Sequence, residues 1–196
     1  MYHFFAYMGR LKFIRRWGLM RSTQPENDAE HSLQVAMIAH GIAMIARDRY
    51  HKDVNPEHVL ALAVYHDATE VITGDLPTPV KYHSPELRTS YKQLEGLAAR
   101  KLLGMLPEGM RPAFEPYLTD GEDYAHQLVK AADRISAYTK CMVEQRAGNH
   151  EFDAAGENVR KSLQQIDLPE VQDFIAEFVP SFAMTLDELN APEGDA

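Results

Sequence analysis

Cysteine is nearly absent from this sequence. Cys141 is the single cysteine among 196 residues, so no intrachain disulfide can form, which points to a reducing compartment. A chain of this length can bury a sufficient core without such cross-links, and we interpret Cys141 as a packing residue. No apolar run approaches the roughly 20 residues that span a bilayer, and residues 1–10 lack the pattern of a signal peptide. We therefore expect a cytoplasmic protein with no membrane partner.

Positive charge is also scarce. The chain has 20 Lys and Arg against 29 Asp and Glu, for a formal net charge of −9. This balance disfavours a nucleic acid polymer as a partner, because such binding needs basic surface to neutralise phosphates. The segment before Glu26 is an exception. It has no acidic residue and carries Arg10, Lys12, Arg15, Arg16 and Arg21. A small phosphorylated ligand therefore stays compatible with the composition.

Alternating strand patterns are missing, whereas apolar residues recur at helical spacing, so the sequence predicts an all-α, single-domain helical bundle. We expect the domain to cover residues 1–190 and a frayed tail to cover 191–196. The predicted helices include residues 4–14, a helix to about residue 48 with Asp28 as its N-cap, and a helix from Pro56 through His66 and Asp67 to Ile72. Prolines should break the chain at 74–79. Further helices are expected at 84–104, 107–117, 123–147, 154–166 and 169–178, with a capping box at Thr185.

Ionisable residues end an otherwise apolar helical run at positions 60–70, where His66, Asp67 and Glu70 stand. Charges buried at such a place must be paired, neutralised or bound to a metal. His31 ends another apolar stripe, and Asp133 lies among the apolar residues of a third predicted helix. Imidazole and carboxylate groups together suit a first-row divalent ion. Taken singly, each of these residues is more often a hydrogen-bonded core residue or a helix cap than a metal ligand.

Taken jointly, His31, His66-Asp67 and Asp133 resemble the signature of the HD-domain metal-dependent phosphohydrolases. The stretches 30–37, 65–82 and 178–182, with Gly-Asp-Leu-Pro-Thr-Pro at 74–79, resemble the bacterial HD-domain 5'-deoxynucleotidases over nearly the whole chain. The resemblance implies an HD-type helical bundle that hydrolyses 2'-deoxyribonucleoside 5'-monophosphates to deoxynucleoside and phosphate by direct attack of a metal-activated water. It also implies one divalent transition metal ion (Co, Mn, Zn, Fe or Cu) and a homodimer.

The resemblance further implies roles for particular residues. Glu70 would be catalytic and handle a proton of the attacking water. The metal ligands would be His31, His66, Asp67 and Asp133. The alternative for Glu70 is a solvated helix residue or a hydrogen-bond partner of His66, and we favour the catalytic role over both.

Three residues would bind substrate by the same resemblance. Arg16 would bind the phosphate through its planar fork of donors, Trp17 would shape the sugar pocket, and Asp75 would accept from the 3'-hydroxyl. Lys81 and Thr78 follow on the same loop, and from this position alone we expect them to help hold phosphate. Without the family, Arg16 reads as a surface charge, Trp17 as a core anchor and Asp75 as a turn residue.

Two other functions stay open on the sequence. The same kind of site could act on a deoxynucleoside triphosphate or a guanosine polyphosphate, although the loops around it offer chiefly Arg16 and Lys81 for the extra negative charge. A nucleotide-binding module that has the fold without turnover is a third hypothesis. It is disfavoured because all the ligand positions and Glu70 are occupied by competent residues.

Overall fold

The computed structural model describes residues 1–81 and 83–191. For Thr78 and Pro79 within this range, it describes the backbone but not the side chains. Within these residues the chain forms helices, turns and one isolated bridge, and no strand, which confirms the predicted all-α fold. The predicted frayed tail lies, from residue 192 on, outside the described residues. The helices are α1 (Phe4–Met8), α2 (Asp28–Asp48), α3 (Pro56–Tyr65), α4 (Glu70–Thr73), α5 (Thr78–Lys81), α6 (Pro85–Gly104), α7 (Arg111–Leu118), α8 (Tyr124–Arg146), α9 (Asp153–Gln164), α10 (Pro169–Phe178) and α11 (Leu186–Leu189).

The main core forms where α2, α3 and α8 pack together. Ile42, Leu128 and Ile135 are completely buried there. Helix α10 covers one side of α2, and a Cβ on Gly41 would lie only 3.0 Å from the Phe174 ring. Gly41 therefore allows a close approach of α10, and the central position of α2 fixes the direction of its N-terminal end, where His31 lies.

A second apolar cluster holds the chain just after α3. Phe4 of α1, Leu102 of α6 and Leu106 are buried together with Ala68, and the Phe4 ring meets the Phe114 ring edge-on at 5.3 Å. This packing holds Ala68 and with it the turn that carries His66 and Asp67.

The predicted helix at 4–14 is wrong in its second half, and Asp28 is not the N-cap of α2. Helix α1 ends at Met8, a 3-10 turn follows at Leu11–Phe13, and Ile14 is extended. The extended backbone lets the Ile14 carbonyl accept from Asp28 N at 3.1 Å. Asn27 caps α2 because its side chain accepts from the backbone of Ala29 and Glu30, which leaves Asp28 as the first helical residue, fully buried.

The predicted helix through the His66-Asp67 pair is also interrupted. Helix α3 ends at Tyr65 and α4 begins only at Glu70. The His66 imidazole Nδ1 lies 2.8 Å from the carbonyl of Ala63 and donates to it, so the side chain occupies an acceptor at the end of α3. The predicted proline break is shorter than expected, because α5 starts at Thr78; proline is tolerated in a first turn, whose N–H groups have no helical partner.

We expect Ile42→Ala to lower the free energy of unfolding by about 2–5 kcal/mol, since it would leave a cavity at the centre of the α2, α3 and α8 packing. Chemical denaturation followed by circular dichroism measures this change. Leu97→Ala removes a similar side chain from an exposed helix position, where 57% of Leu97 is accessible, and should change stability by less than about 0.5 kcal/mol. Equal losses in the two variants would contradict the assignment of this core.

Candidate metal and phosphate site

Arg16 is brought to the start of α2 by backbone pairing. Arg15 and Asn27 form an antiparallel bridge, and Arg16 N donates to the Glu26 carbonyl at 3.0 Å. The Arg16 guanidinium then reaches into the molecule, where Nη1 donates to Asp67 Oδ2 at 3.1 Å. Two segments that are distant in sequence, the Arg-Trp pair and the His-Asp pair, thus meet at one place.

His31 presents one ring nitrogen to this place and holds the other in a hydrogen bond. Nδ1 lies 3.1 Å from Ser136 Oγ, and the Ser136 hydroxyl donates to Gln34 at 2.7 Å. The Ser136 oxygen is therefore available to accept from Nδ1–H. This arrangement leaves the lone pair on Nε2, which faces Asp133 Oδ1 at 3.0 Å and Asp67 Oδ2 at 3.7 Å.

The His66 ring is oriented in the same way as the His31 ring, with Nδ1 in a hydrogen bond and Nε2 facing the carboxylates. Its Nδ1 donates to the Ala63 carbonyl, and its Nε2 is buried without a hydrogen bond, although Asp67 Oδ2 lies 3.1 Å away. The two imidazole rings are 5.3 Å apart between centroids. An outer hydrogen bond that fixes the tautomer is typical of histidines that ligate metals.

The four predicted ligands meet at one end of the bundle. Donor atoms of His31, His66 and Asp133 lie within 4.8 Å of one another, and Asp67 Oδ2 is 3.1 Å from His66 Nε2. Two imidazole nitrogens and two carboxylates are a donor set that suits a first-row divalent ion, and the orphaned Nε2 of His66 is an atom that such an ion would satisfy. The residues present therefore fit the metal that the sequence implies.

His66 and Asp67, two adjacent candidate ligands, shift each other's pKa. Burial alone would lower the pKa of His66, but the adjacent Asp67 carboxylate raises it to about 9. Burial works to raise the pKa of Asp67, and the charges of His66 and Arg16 outweigh it and lower that pKa well below its usual range. The site thus stabilises positive charge on His66, and a divalent ion would take the place of that proton.

Trp17 lies beside these ligands in a strained backbone conformation. Its φ is 57°, in the left-handed region that is uncommon for a tryptophan. The indole Nε1 donates to Glu26 Oε2 at 2.9 Å, and the ring lies 5.3 Å from that of Phe152. The other carboxylate oxygen of Glu26 is 3.4 Å from His31 Nδ1. Glu26 therefore connects the predicted sugar-pocket residue with a predicted metal ligand.

A buried glutamate on α8 anchors the loop that leads to Glu26. Glu144 accepts from Thr23 N at 2.8 Å, from Gln24 N at 3.2 Å and from Asn149 Nδ2 at 2.8 Å, and it pairs with Lys140. Although burial opposes it, hydrogen bonding, first from Lys140, lowers the pKa of Glu144 far below its usual range. The carboxylate stays ionised and fixes the loop to the bundle.

Glu70 faces another acidic residue, Asp28. Single carboxylate oxygens of Asp28, Asp67 and Glu70 lie within 4.8 Å of one another. Burial, with the charges of Asp67 and Asp28 added, raises the pKa of Glu70 to about 11. Burial likewise raises the pKa of Asp28 to about 6. Glu70 is the first residue of α4 rather than a residue of the same helix as His66.

The remaining predicted substrate residues lie at the edge of the site. Asp75 follows Gly74, whose φ of 73° ends α4. Burial raises the pKa of Asp75, while the positive charge of Arg16 opposes that shift. Lys81 donates to Glu95 of α6 at 2.8 Å and lies 4.5 Å from the centre of the Tyr91 ring. The side chain of Thr78 lies outside the described residues.

Sequence reasoning missed three contributors: Glu26, Asp28 and Ser136. In the sequence, Glu26 resembles an ordinary polar loop residue, and Asp28 is a residue type that commonly caps a helix. Ser136 offers a signal in retrospect, because it lies three residues after Asp133 and such residues share a helix face.

A helical bundle that joins two histidines and two aspartates at one end defines the class of HD-domain phosphohydrolases. Solved structures with this fold include an HD-domain phosphohydrolase from Listeria innocua, with a TM-score of 0.75, 22% identity, and coverage of 92% of this chain and 88% of that one. Another is the cyanophage S-2L HD phosphohydrolase DatZ, bound to dA and one catalytic Zn²⁺, with a TM-score of 0.63, 24% identity, and coverage of 92% and 96%. At these identities the likeness establishes the fold.

The chain belongs to the YfbR-like 5'-deoxynucleotidase family, whose sequence model matches residues 3–182. It is 49% identical over 190 residues to 5'-deoxynucleotidase VP0926 of Vibrio parahaemolyticus, covering 96% of this chain and 98% of that protein. It is also 49% identical over 191 residues to the 5'-deoxynucleotidase of Cronobacter sakazakii, covering 96% of each. The predicted family and the predicted enzyme class are confirmed. In the described part of the chain, no helix is long and apolar enough to cross a membrane.

Glu26→Gln should weaken discrimination at the sugar more than it weakens turnover. The neutral amide oxygen is a weaker acceptor for the Trp17 indole N–H than the carboxylate, so the ring that would shape the sugar pocket is held less firmly. We expect the ratio of kcat/KM for a deoxynucleotide to that for the matching ribonucleotide to fall by about 10-fold, in the range of one lost polar contact. Steady-state kinetics on the two substrates measures it. Glu30→Gln, an exposed change four residues away, is the control, and an unchanged ratio in Glu26→Gln would exclude this role.

Proposed function

We propose that this protein hydrolyses 2'-deoxyribonucleoside 5'-monophosphates to deoxynucleoside and phosphate, with the residues predicted from the sequence in their predicted roles. The observation that carries the proposal is the contact of Arg16 Nη1 with Asp67 Oδ2 at 3.1 Å, because it sets a phosphate-binding group directly against the candidate metal ligands. The curated relatives named 5'-deoxynucleotidase, which this chain matches over nearly its full length, support the same reaction.

The resident cofactor proposed for His31, His66, Asp67 and Asp133 is one divalent transition metal ion, of the set Co, Mn, Zn, Fe and Cu. The DatZ structure, which holds one catalytic Zn²⁺, supports an ion of this kind. When bound, such an ion lowers the pKa of a coordinated water and neutralises charge on the phosphoryl group. The nitrogen and oxygen donors do not by themselves select one metal of the set.

Phosphate binding is assigned to Arg16, and proton transfer is assigned to Glu70. Arg16 donates to the substrate phosphate, and its planar guanidinium suits two phosphate oxygens at once. Glu70 is buried close to Asp28 and Asp67, and it is the residue that would handle a proton of the attacking water. We assign a single displacement at phosphorus, with inversion, and no covalent phosphoenzyme.

Selection of the sugar falls to Trp17 and Asp75. The indole is fixed by Glu26 and by contact with Phe152, so it can present a rigid wall where a 2'-hydroxyl would project. Asp75 accepts from the 3'-hydroxyl. Lys81 and Thr78 contribute at most to holding phosphate, and the bond from Lys81 to Glu95 favours an outer position for that lysine.

We also propose that the protein is a cytoplasmic homodimer. The C-terminal segment exposes large apolar side chains to solvent, and these could bury one another in an interface between two copies. They are Phe178, Met184, Leu186 and Leu189.

Asp67→Ala should abolish phosphate release from deoxynucleoside monophosphates and lower the bound metal content, because it removes a ligand and the partner of Arg16. Phosphate assays and elemental analysis measure the two effects. Asp53→Ala, an exposed change, is the control and should keep both. Full activity and metal content in Asp67→Ala would refute the site. Release of pyrophosphate or triphosphate would instead favour the second nucleotide hypothesis, and tight binding without release would favour the non-catalytic one.

Trp17→Ala should raise kcat/KM for ribonucleotides relative to deoxynucleotides by about 10- to 200-fold, the range for one pocket contact. The change should appear as improved use of the ribonucleotide, since the wall against its 2'-hydroxyl is gone. Competition between the two substrates in one assay measures it. Phe13→Ala removes an exposed aromatic ring and should leave the preference unaltered. A preference that survives in Trp17→Ala would transfer sugar selection to another residue.

A further inference from the structure

The loop at residues 21–24 is held by side chains of α8. The backbone N–H groups of Thr23 and Gln24 donate to different oxygens of the Glu144 carboxylate, at 2.8 and 3.2 Å. Lys140 Nζ donates to the Gln24 carbonyl at 2.5 Å. Because the side chains of Thr23 and Gln24 are themselves exposed, these contacts to the backbone, rather than burial of the loop's own side chains, fix its position.

Asn149, three residues after the end of α8, extends the same set of contacts. Its Nδ2 donates to the Arg21 carbonyl at 2.7 Å and to Glu144 Oε2 at 2.8 Å. We call Lys140, Glu144 and Asn149 the loop clamp. None of the Glu144 surface is accessible, and a buried charge is costly unless it is paired and hydrogen-bonded. A fully buried carboxylate is thus committed to the position of a polar loop.

The clamped loop connects two residues of the candidate site. Arg16 N donates to the Glu26 carbonyl at 3.0 Å, which closes residues 16–26 into a loop with the clamp at its far end. Trp17 follows this closure directly and has a φ of 57°. A bulky residue in that region is strained and persists only where its surroundings hold it. The closure and the clamp together supply that constraint.

The support for the Trp17 ring belongs to the same part of the molecule as the clamp. Phe152 is completely buried, and its ring lies 5.3 Å from that of Trp17. Lys140 Nζ is 5.6 Å from the centre of the Phe152 ring, and it also pairs with Glu144. Loss of the Glu144 charge would therefore release the loop and free the lysine beside the Trp17 support at the same time.

We infer that Glu144 is a positioning residue for Trp17, and that it thereby determines the selection of deoxyribose over ribose without touching the substrate. A side chain that shapes a pocket is selective only when the residues behind it lock its position. The inference rests on the proposed function for the role of Trp17 in sugar selection. The dependence of the Trp17 position on Glu144 rests on the contacts alone.

The competing account is that Glu144 only stabilises the fold, and Glu170 provides the matched comparison. Glu170 is also completely buried. It accepts from Lys52 Nζ at 2.8 Å and from the Tyr124 hydroxyl at 2.6 Å, and it belongs to α10. Glu170→Gln should therefore lower the free energy of unfolding, as Glu144→Gln should, but it should leave Trp17 and the sugar preference unaltered.

The full-length protein carries its own probe, because Trp17 is its single tryptophan. Glu144→Gln keeps the volume but turns an amide NH₂ towards one of the two backbone N–H donors, so a loop contact is lost. We expect stronger acrylamide quenching and faster depolarisation of the Trp17 fluorescence. The ratio of kcat/KM for a deoxynucleoside monophosphate to that for the matching ribonucleotide should fall by about 10-fold. The kcat for the deoxynucleotide should change much less, since the clamp contributes no proposed metal ligand.

A sugar preference that stays unaltered in Glu144→Gln would overturn the inference, and so would an equal loss of preference in Glu170→Gln. Chemical denaturation of both variants gives their stabilities for this comparison. If Glu144→Gln does not fold, Asn149→Ala carries the same test, because it removes two contacts of the clamp while Lys140 still pairs with Glu144. Absence of phosphate release from deoxynucleotides in the unmodified protein would refute the proposed function, and the fluorescence of Trp17 would still decide whether Glu144 positions the ring.

Discussion

Negative charge concentrated in a poorly solvated place is the constraint on which this structure depends. Asp28, Asp67, Glu70 and Asp133 arrive at one end of the bundle from α2, the turn after α3, α4 and α8. Like charges at such distances repel strongly where water is excluded. Arg16 and the two histidines supply part of the compensation, and the proposed metal ion would supply more. Stability and the proposed function are therefore coupled at this point, since a bound metal ion would also relieve the repulsion between these carboxylates.

The pairing of residues 14–16 with residues 26–28 determines which side chains lie next to these acidic groups. Two backbone hydrogen bonds, Arg16 N to Glu26 O and Asp28 N to Ile14 O, place a cation and two acids around His31. Local propensity would continue α1 through Ile14, and the tertiary pairing overrides it. The resulting extended backbone allows Arg16 to reach Asp67, which lies 51 positions further along the chain.

The fold was predictable from the sequence because helical periodicity is strong in α2, α3 and α8, which form the core. His31 could be recognised as the polar end of a buried stripe, and it is buried. The interruption after Tyr65 could not be foreseen, because the local sequence is apolar and helical in pattern and the contact of the His66 side chain with the Ala63 carbonyl appears only in the structure. Asp28 was misread as a cap because aspartate at a helix start is usually one, and only the tertiary structure reveals its burial beside Glu70.

The dependence of Trp17 on Glu144 has a consequence for exchanging parts between relatives. The segment at 16–27 carries the Arg-Trp pair, yet its shape is maintained by a carboxylate on the last turns of α8 and by Asn149. If this segment were replaced by that of a homologue, the new segment would have to pack against Glu144 and Asn149 of the original protein, which lie more than 100 positions later in the chain. Recombination in this family should therefore succeed as a paired exchange, in which the N-terminal segment moves together with the end of α8.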